Sequence, residues 1–487
     1  IDQALMAVIH VKHGFVRTFG LMGKVVILDE VHTYDAYTGT VMDELVDTLR
    51  QLHCTVIILS ATLTQERRQS LLKNPVVEYA YPLISGVSNS ELTEIKIESD
   101  DAKSVAIQIE SSTEIAIKEV LKRVKQGQQI LWIENTVAEA QEIFLTLFER
   151  TSGLNIAIGL LHSRFTQTHR QNNEDEWVNA YGKNGWSERN QKGRILVGTQ
   201  VLEQSLDIDA DFLVTRLAPT DMILQRLGRL WRHDNPNRHI KAKNEVCIIA
   251  PNLKDAIENP KQSFGASAWV YSPYVLCRTL EVWQNLQIVS LPQDIRPLIE
   301  ATYQNRKETD KMASYLNEIE QKRQNLKRLA LQGMSVIGRA KPDKNVKTRY
   351  SEQENIEVVL LKHIEFNQMQ KNQKGTWLTF ANDERIFYPP NGRAFGQKIW
   401  RELSIKIQNN LIKVTKYKAP YSVSKKELSW LKDYAFLGDR EEDKNANIRI
   451  ALIGKNNQLT ALNGNLNINE KYTLSYNKLL GYQSQKK

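Results

Sequence analysis

A chain of 487 residues with an ordinary apolar share of 41% has room for about three domains and a sizeable core. Its apolar runs, such as Val25–Leu28 and Val56–Leu59, are far too short to span a bilayer, and residues 1–10 lack a signal-peptide layout, so no membrane partner and a cytoplasmic location are expected. Cys54, Cys247 and Cys277 form no Cys-x-x-Cys pair and read as buried thiols, which excludes a disulfide framework or cysteine zinc site, while a net charge of +9 suggests a polyanionic partner.

From Lys24 to about residue 253, short β-branched runs alternate with amphipathic stretches, the pattern of parallel sheets with crossover helices. The runs predict strands at Val25–Leu28, Val56–Leu59, Gln129–Ile133, Asn155–Leu160, Arg194–Val197, Phe212–Thr215 and Glu245–Ile249. Between the first two, Val41, Leu45, Leu49 and Leu52 recur at helical spacing. The polar stretch 72–110, with Pro75, Pro82 and Gly86, reads as the boundary between two α/β lobes, with a hinge near residue 88. Thr136-x-x-Glu139 resembles a capping box and predicts a helix carrying Val137, Ala140, Phe144 and Phe148 on one face. Past Pro251 the alternation stops. Met312, Leu316, Ile319, Leu326 and Leu329 predict a long charged helix ending near Gly333, then a basic turn-like segment, Ala340–Tyr350, and a smaller domain rich in Trp, Tyr and Lys.

In a parallel sheet, ligands gather beyond the carboxyl ends of the strands. Asp29 and Glu30 follow Leu28 directly and are expected in such a crevice, Asp29 as a water-mediated holder of a magnesium ion and Glu30 as the group that orients and deprotonates an attacking water. The next strand ends in Ser60-Ala61-Thr62, whose hydroxyls are placed to bond the carboxylate box. Further on, Gly198-Thr199-Gln200 offers a close backbone approach and neutral donors suited to a sugar-phosphate chain. The densest cluster is Gln225-Arg226-Leu227-Gly228-Arg229-Leu230-Trp231-Arg232-His233. On a helix, Arg229 and Arg232 share a face, so both guanidinium forks are expected to reach a triphosphate, a contribution worth about 10³ to 10⁵ in rate for arginines of this kind.

Asp29-Glu30-Val31-His32, Ser60-Ala61-Thr62, Gly198-Thr199-Gln200 and the arginine cluster, in this order, resemble motifs II, III, V and VI of superfamily 2 helicases. The flanks Thr33-Tyr34-Asp35, Leu161-His162-Ser163-Arg164-Phe165 and Val201-Leu202-Glu203-Gln204-Ser205-Leu206-Asp207 are similar to the CRISPR-associated helicase–nucleases of type I systems, most of all the type I-E kind. Ile1-Asp2-Gln3 resembles the tail of that family's Gly-Thr-Ile-Asp-Gln motif.

The resemblance implies an α/β fold of two RecA-like parallel sheets, a helical linker and a C-terminal domain. It assigns 1–87 to the back of the first lobe, 88–255 to the second lobe, 256–342 to the linker and 343–487 to the accessory domain. It implies ATP and magnesium as cofactors, His32, Ser60, Thr62 and Gln225 as coupling residues, and Asp207, Gln225, Arg229 and Arg232 as nucleotide-binding residues. Gln3, Arg164, Thr199 and Gln200 match backbone-contacting positions for single-stranded DNA. The implied partners are the Cascade surveillance complex with its crRNA and a segment supplying the family's HD nuclease and Walker A phosphate loop, neither of which has a counterpart in these residues. Transition-metal ions belong to that nuclease, and His233-Asp234 reads as a chance dipeptide, since no other ligands surround it in the sequence. The implied activity is ATP-dependent DNA translocation and unwinding, with this chain alone inactive. Two alternatives are a non-catalytic DNA-binding or Cascade-docking module, with Trp377, Phe380, Phe387, Tyr388, Trp400 and Tyr417 as stacking platforms or core, and an RNA helicase.

Overall fold

The two first apolar runs form the strands Val25–Asp29 and Thr55–Leu59, joined by the helix Ala36–Gln51 and paired in parallel with Asp29 opposite Leu59. The computed structural model describes residues 2–31, 36–98, 102–189, 191–203, 206–234, 238–334, 354–370, 373–438 and 444–487. The chain divides into two units: Ile1–Thr113 with Arg216–Leu227 and Asn244–Glu352, and Glu114–Thr215 with Gly228–Lys243 and Gln353–Lys487.

In the first unit, Val41, Met42, Leu45 and Leu49 on the crossover helix pack beneath Leu28, and the long helix Asp310–Met334 adds Leu326 and Ala330 to the same core. That helix matches the expected connector, while Ala340–Tyr350 lies outside the described residues. The opposite sheet face is bare: Val25, Ile27, Ile57 and Leu59 keep 40% to 62% of their surface in solvent.

The stretch 72–110 holds more order than its polarity predicts. Leu83–Ser88 and Glu91–Lys96 form an antiparallel hairpin, and Lys103–Glu110 pairs in parallel with Glu245–Ile249. A strand also lies past Pro251, Ile288–Leu291, antiparallel to Lys103–Glu110. Only four residues long and half exposed, it has no alternation to betray it.

In the second unit, four parallel strands run in the order Phe212–Arg216, Gln129–Ile133, Gly193–Gly198, Ile156–Leu161. The central two are buried along their whole length, as expected for a parallel sheet covered on both faces. Thr136 caps the helix Val137–Arg150, its hydroxyl oxygen accepting from Glu139 N, while Glu139 closes back on the Thr136 O–H, a variant of the expected capping box.

The C-terminal part of this unit is a sheet ordered Arg385–Tyr388, Gln373–Phe380, Asn355–Gln370, Ile448–Ile453, Leu459–Thr460, with Leu411–Thr415 also on Asn355–Gln370. Apolar clusters cover both faces. Phe380 and Tyr388 belong to that core, Trp377, Phe387 and Trp400 are half-buried, and Tyr417 is exposed. All three cysteines are free, with Cys247 and Cys277 buried and Cys54 partly so. No helix among the described residues is long and apolar enough to cross a membrane.

Candidate functional site

In the first unit, Asp29 and Glu30 are exposed at the carboxyl end of their strand, and Ser60 leaves the same end of the neighbouring strand. Glu30 turns the chain with φ of +57°, and its N–H donates to Asp29 Oδ1 at 3.0 Å. Thr62 is buried, and its hydroxyl meets no hydrogen-bond partner among the described residues. His32 lies outside the described residues. Burial first, and the nearby Glu30 charge, hold the Tyr81 phenol above its ordinary pKa, so Tyr81 is a neighbour of this edge that sequence spacing did not reveal. Gln225 is half-buried on the helix Thr220–Leu227, and Gln3, exposed on the turn Asp2–Leu5, accepts from Arg17 Nε at 2.9 Å.

The arginine cluster departs from expectation. The helix ends at Leu227, so Arg229 and Arg232 sit not on one helical face but in the turn behind it. Gly228 and the left-handed Trp231, φ of +48°, break the helix, and the chain is captured by a bridge in which Ala210 N donates to Arg229 O and Trp231 N to Ala210 O. This backbone pairing replaces the helical bonds the turn gives up.

The turn places the arginines on a carboxylate and carbonyl framework in the second unit. Arg229 Nη2 donates to Glu203 O at 2.7 Å, and Arg232 Nε pairs with Asp207 Oδ1 at 2.9 Å. His233 Nε2 bonds the same carboxylate at 2.8 Å. Partial burial raises the Asp207 pKa, but the His233 hydrogen bond and the Arg232 charge outweigh it and hold the carboxyl below its usual range. Asp207 therefore presents itself as an anchor for Arg232 and His233.

Beneath this turn lies a cluster that sequence reading missed. Asp211 is fully buried, taking Arg189 Nη2 and Arg238 Nη1 on Oδ1, each at 2.8 Å, and Gln129 N on Oδ2. Asp209, equally buried, takes Arg238 Nη2 and also Arg232 N at 2.9 Å. Asp209 thus fixes the backbone of the arginine turn. The alternation Asp207-x-Asp209-x-Asp211 was the available signal, but Arg189 and Arg238 lie too far away in sequence to complete it.

Thr199 is buried beyond the strand Gly193–Gly198, its N–H donating to Leu161 O, and Gln200 Nε2 donates to Asn135 O at 2.9 Å. Arg164 lies in the turn after Ile156–Leu161, where the C-terminal hairpin Tyr472–Asn477/Gly481–Lys486 docks. Tyr482 N donates to Arg164 O at 2.9 Å, and Gly481, φ of +66°, approaches so closely that a Cβ would stand 2.7 Å from that oxygen. His162, fully buried, accepts from Arg164 N on Nδ1, which leaves Nε2–H to donate to Leu480 O at 3.1 Å. Burial pushes this imidazole down to about 3, so it is held neutral. Arg164 also lines a cavity of about 1320 Å³ whose walls carry Arg170, Arg393, Lys413 and Trp400.

Residues 126–235 match the family model for the C-terminal part of the CRISPR-associated nuclease/helicase Cas3. The chain is 33% identical over 323 residues to the CRISPR-associated endonuclease/helicase Cas3 of Escherichia coli, covering 62% of this chain and 35% of that protein. The Thermus thermophilus protein of the same name is 32% identical over 355 residues, covering 62% and 37%. The chain thus spans about a third of the curated relatives it matches. The crystal structure of T. fusca Cas3 with ATP superposes over 99% of this chain and 56% of its own, with a TM-score of 0.77 at 25% identity. A CRISPR RNA-guided surveillance complex before nicking holds a chain of the same fold, with a TM-score of 0.75 at 24% identity over 99% of this chain and 60% of that one.

Proposed function

We propose that this chain, similar to the Cas3 helicase–nucleases of CRISPR systems, is the helicase portion of such a machine, translocating on and unwinding DNA with ATP during degradation of Cascade-marked foreign DNA in the cytoplasm. Residues 1–87 serve as the back of the first RecA-like lobe, 88–255 as the second lobe, 256–342 as the linker and 343–487 as the accessory domain. The observation that carries the reading is the shared strand end of Asp29, Glu30 and Ser60 in a parallel pair, the edge at which α/β sheets take their ligands.

Exposed carboxylates beside a buried, unpartnered Thr62 hydroxyl suit a metal–triphosphate. When bound, magnesium neutralises charge on the phosphates. Asp29 would hold it, and Glu30 would orient the attacking water and accept its proton. Arg229 and Arg232, set by Glu203, Asp207 and Asp209, stabilise charge on the transferring phosphoryl group. His32, Ser60, Thr62 and Gln225 couple nucleotide state to DNA, and Gln3, Arg164, Thr199 and Gln200 hold phosphates without reading sequence.

The chain needs a segment carrying a phosphate loop. The bare face of Val25, Ile27, Ile57 and Leu59 fits the α/β layer such a segment brings. With that segment supplied, single-stranded DNA is expected to stimulate ATP hydrolysis. Glu30→Gln or Arg229→Ala should lower the rate about 10³-fold or more, and unchanged activity in either removes the role assigned to it. Greater stimulation by RNA than by DNA would favour an RNA helicase.

A second reading rests on the cavity beside Arg164, where Arg164, Arg170, Arg393, Lys413 and Lys432 outnumber Glu174, Glu357 and Asp433: a module that holds single-stranded DNA or docks on the surveillance complex. Nucleotide-independent DNA affinity falling steeply with salt, with no ATPase on reassembly, is its signature.

A further inference from the structure

In the first unit, the strand Thr55–Leu59, the helices Gln65–Leu72 and Ile295–Tyr303 and the hairpin that begins at Leu83 border a cavity of about 200 Å³. Two guanidinium groups, Arg68 and Arg296, face it, and both residues are only 7% exposed. Arg68 bonds through Nη2 alone, to Glu78 O at 2.8 Å and Glu94 Oε1 at 3.1 Å, while its Nε and Nη1 are buried with no partner among the described residues. Arg296 donates from Nη1 to Leu63 O at 3.1 Å, and its Nε is likewise buried without a partner. Three guanidinium nitrogens left unsatisfied out of water are costly, and both arginines line this one cavity.

The surrounding carboxylates are already engaged, Glu94 in part as the ion-pair partner of Arg68. Glu94 also accepts from Ser85 Oγ, Val77 N and Glu78 N, and Glu300 takes Gln65 N at 2.6 Å. Burial first, then repulsion from Arg68, lowers the Arg296 pKa against the opposing pull of Glu300, so the two cations are held together at a cost. Glu30 is not among the lining residues, and its charge acts on Tyr81, which is. The Ser60 hydroxyl and Tyr81 phenol lie on the same walls, and the volume is several times the roughly 30 Å³ share of a water molecule.

We propose that this cavity is a binding site for a small oxyanion of the inorganic phosphate type, clasped between Arg68 and Arg296. Donors converging from separate elements suit a tetrahedral anion better than a planar carboxylate. Ser60 links the site to the strand end that carries the Asp-Glu box on its neighbour, so an anion there is sensed at the hydrolytic edge. Binding itself does not depend on the helicase reading; only a link to released phosphate does.

The test titrates the full chain with sodium phosphate at constant ionic strength, against chloride and acetate, following the heat of binding and the thermal midpoint. A saturable, phosphate-selective response is expected. Arg296→Gln should weaken it at least about tenfold and Arg296→Lys less. Leu83→Phe, which fills the cavity and leaves both guanidiniums in place, should weaken it as well, and it serves if Arg296→Gln fails to fold. A response equal in all variants, or equal for phosphate and chloride, overturns the site. In the reassembled ATPase, phosphate inhibition that Arg296→Gln abolishes ties this site to the release of phosphate; inhibition that survives in this variant, alongside lost binding to the isolated chain, acts elsewhere and overturns that link. Failure of the ATPase to reassemble leaves the titration intact and counts against the helicase reading alone.

Discussion

Two parallel arrangements in this protein are built from the same kind of sequence and have different surroundings. Val25–Asp29 and Thr55–Leu59 alternate between exposed residues and ones that are partly buried or, at Leu28, fully buried, while Gln129–Ile133 and Gly193–Gly198 are buried at every position. Each run is apolar, β-branched and five or six residues long. An apolar run therefore specifies a strand, and the layers around it decide whether the strand becomes core. The second unit supplies those layers from its own helices, whereas the first covers one face and leaves Ile27 and Ile57 in solvent.

The contrast can be broken most directly from the buried side. Asp211→Ala strips two guanidiniums of a shared, fully buried partner and is expected to cost about 3–5 kcal/mol in urea unfolding. Trp132→Ala, in the buried strand, should cost a similar ~3–5 kcal/mol. A loss under about 1 kcal/mol for either would mean that the second unit is no better packed than the first.

A pH-dependent loss should follow at the docked C-terminal hairpin. The His162 pKa falls from 6.5 to about 3 on folding, so the unfolded chain binds the extra proton first. The histidine's contribution is complete above about pH 6.5 and declines as the pH drops from 6.5 towards 3. Amide exchange in Gly481–Lys486 should accelerate across that window, and a His162→Gln variant should flatten the dependence. Exchange that is pH-independent after correction for intrinsic rates would remove His162 from the docking.

The smallest effect belongs to the bare sheet. Ile27→Ser with Ile57→Ser should shift the unfolding free energy of the chain by no more than about 0.5 kcal/mol per site. Adding a segment that covers the face should raise that cost severalfold, and an unchanged cost would show that the segment does not sit there.

Much of the candidate site was legible because it is local. Asp29, Glu30, Ser60 and Thr199 each follow a short apolar run, and the ends of such runs are where parallel strands stop. The N-cap at Thr136 and the long helix after Asp310 are likewise properties of a few neighbouring residues. The arginine turn was not legible as such: a helical continuation past Leu227 suits the spacing of Arg229 and Arg232, and only the bridge to Ala210 overrides it.

From the amino-acid order alone came the seven strands marked by apolar runs, the helices after Ala36, Thr136 and Asp310, and the residue types at those strand ends, since periodicity and capping act over one or two turns of chain. Only the tertiary structure decided that Asp209 and Asp211 brace the arginine turn, that Leu480 and Tyr482 fasten the Arg164 loop, and that Arg68 meets Arg296 across a cavity. Those pairings join residues up to 318 positions apart, and buried charge and hydrogen-bond satisfaction, not local propensity, select them.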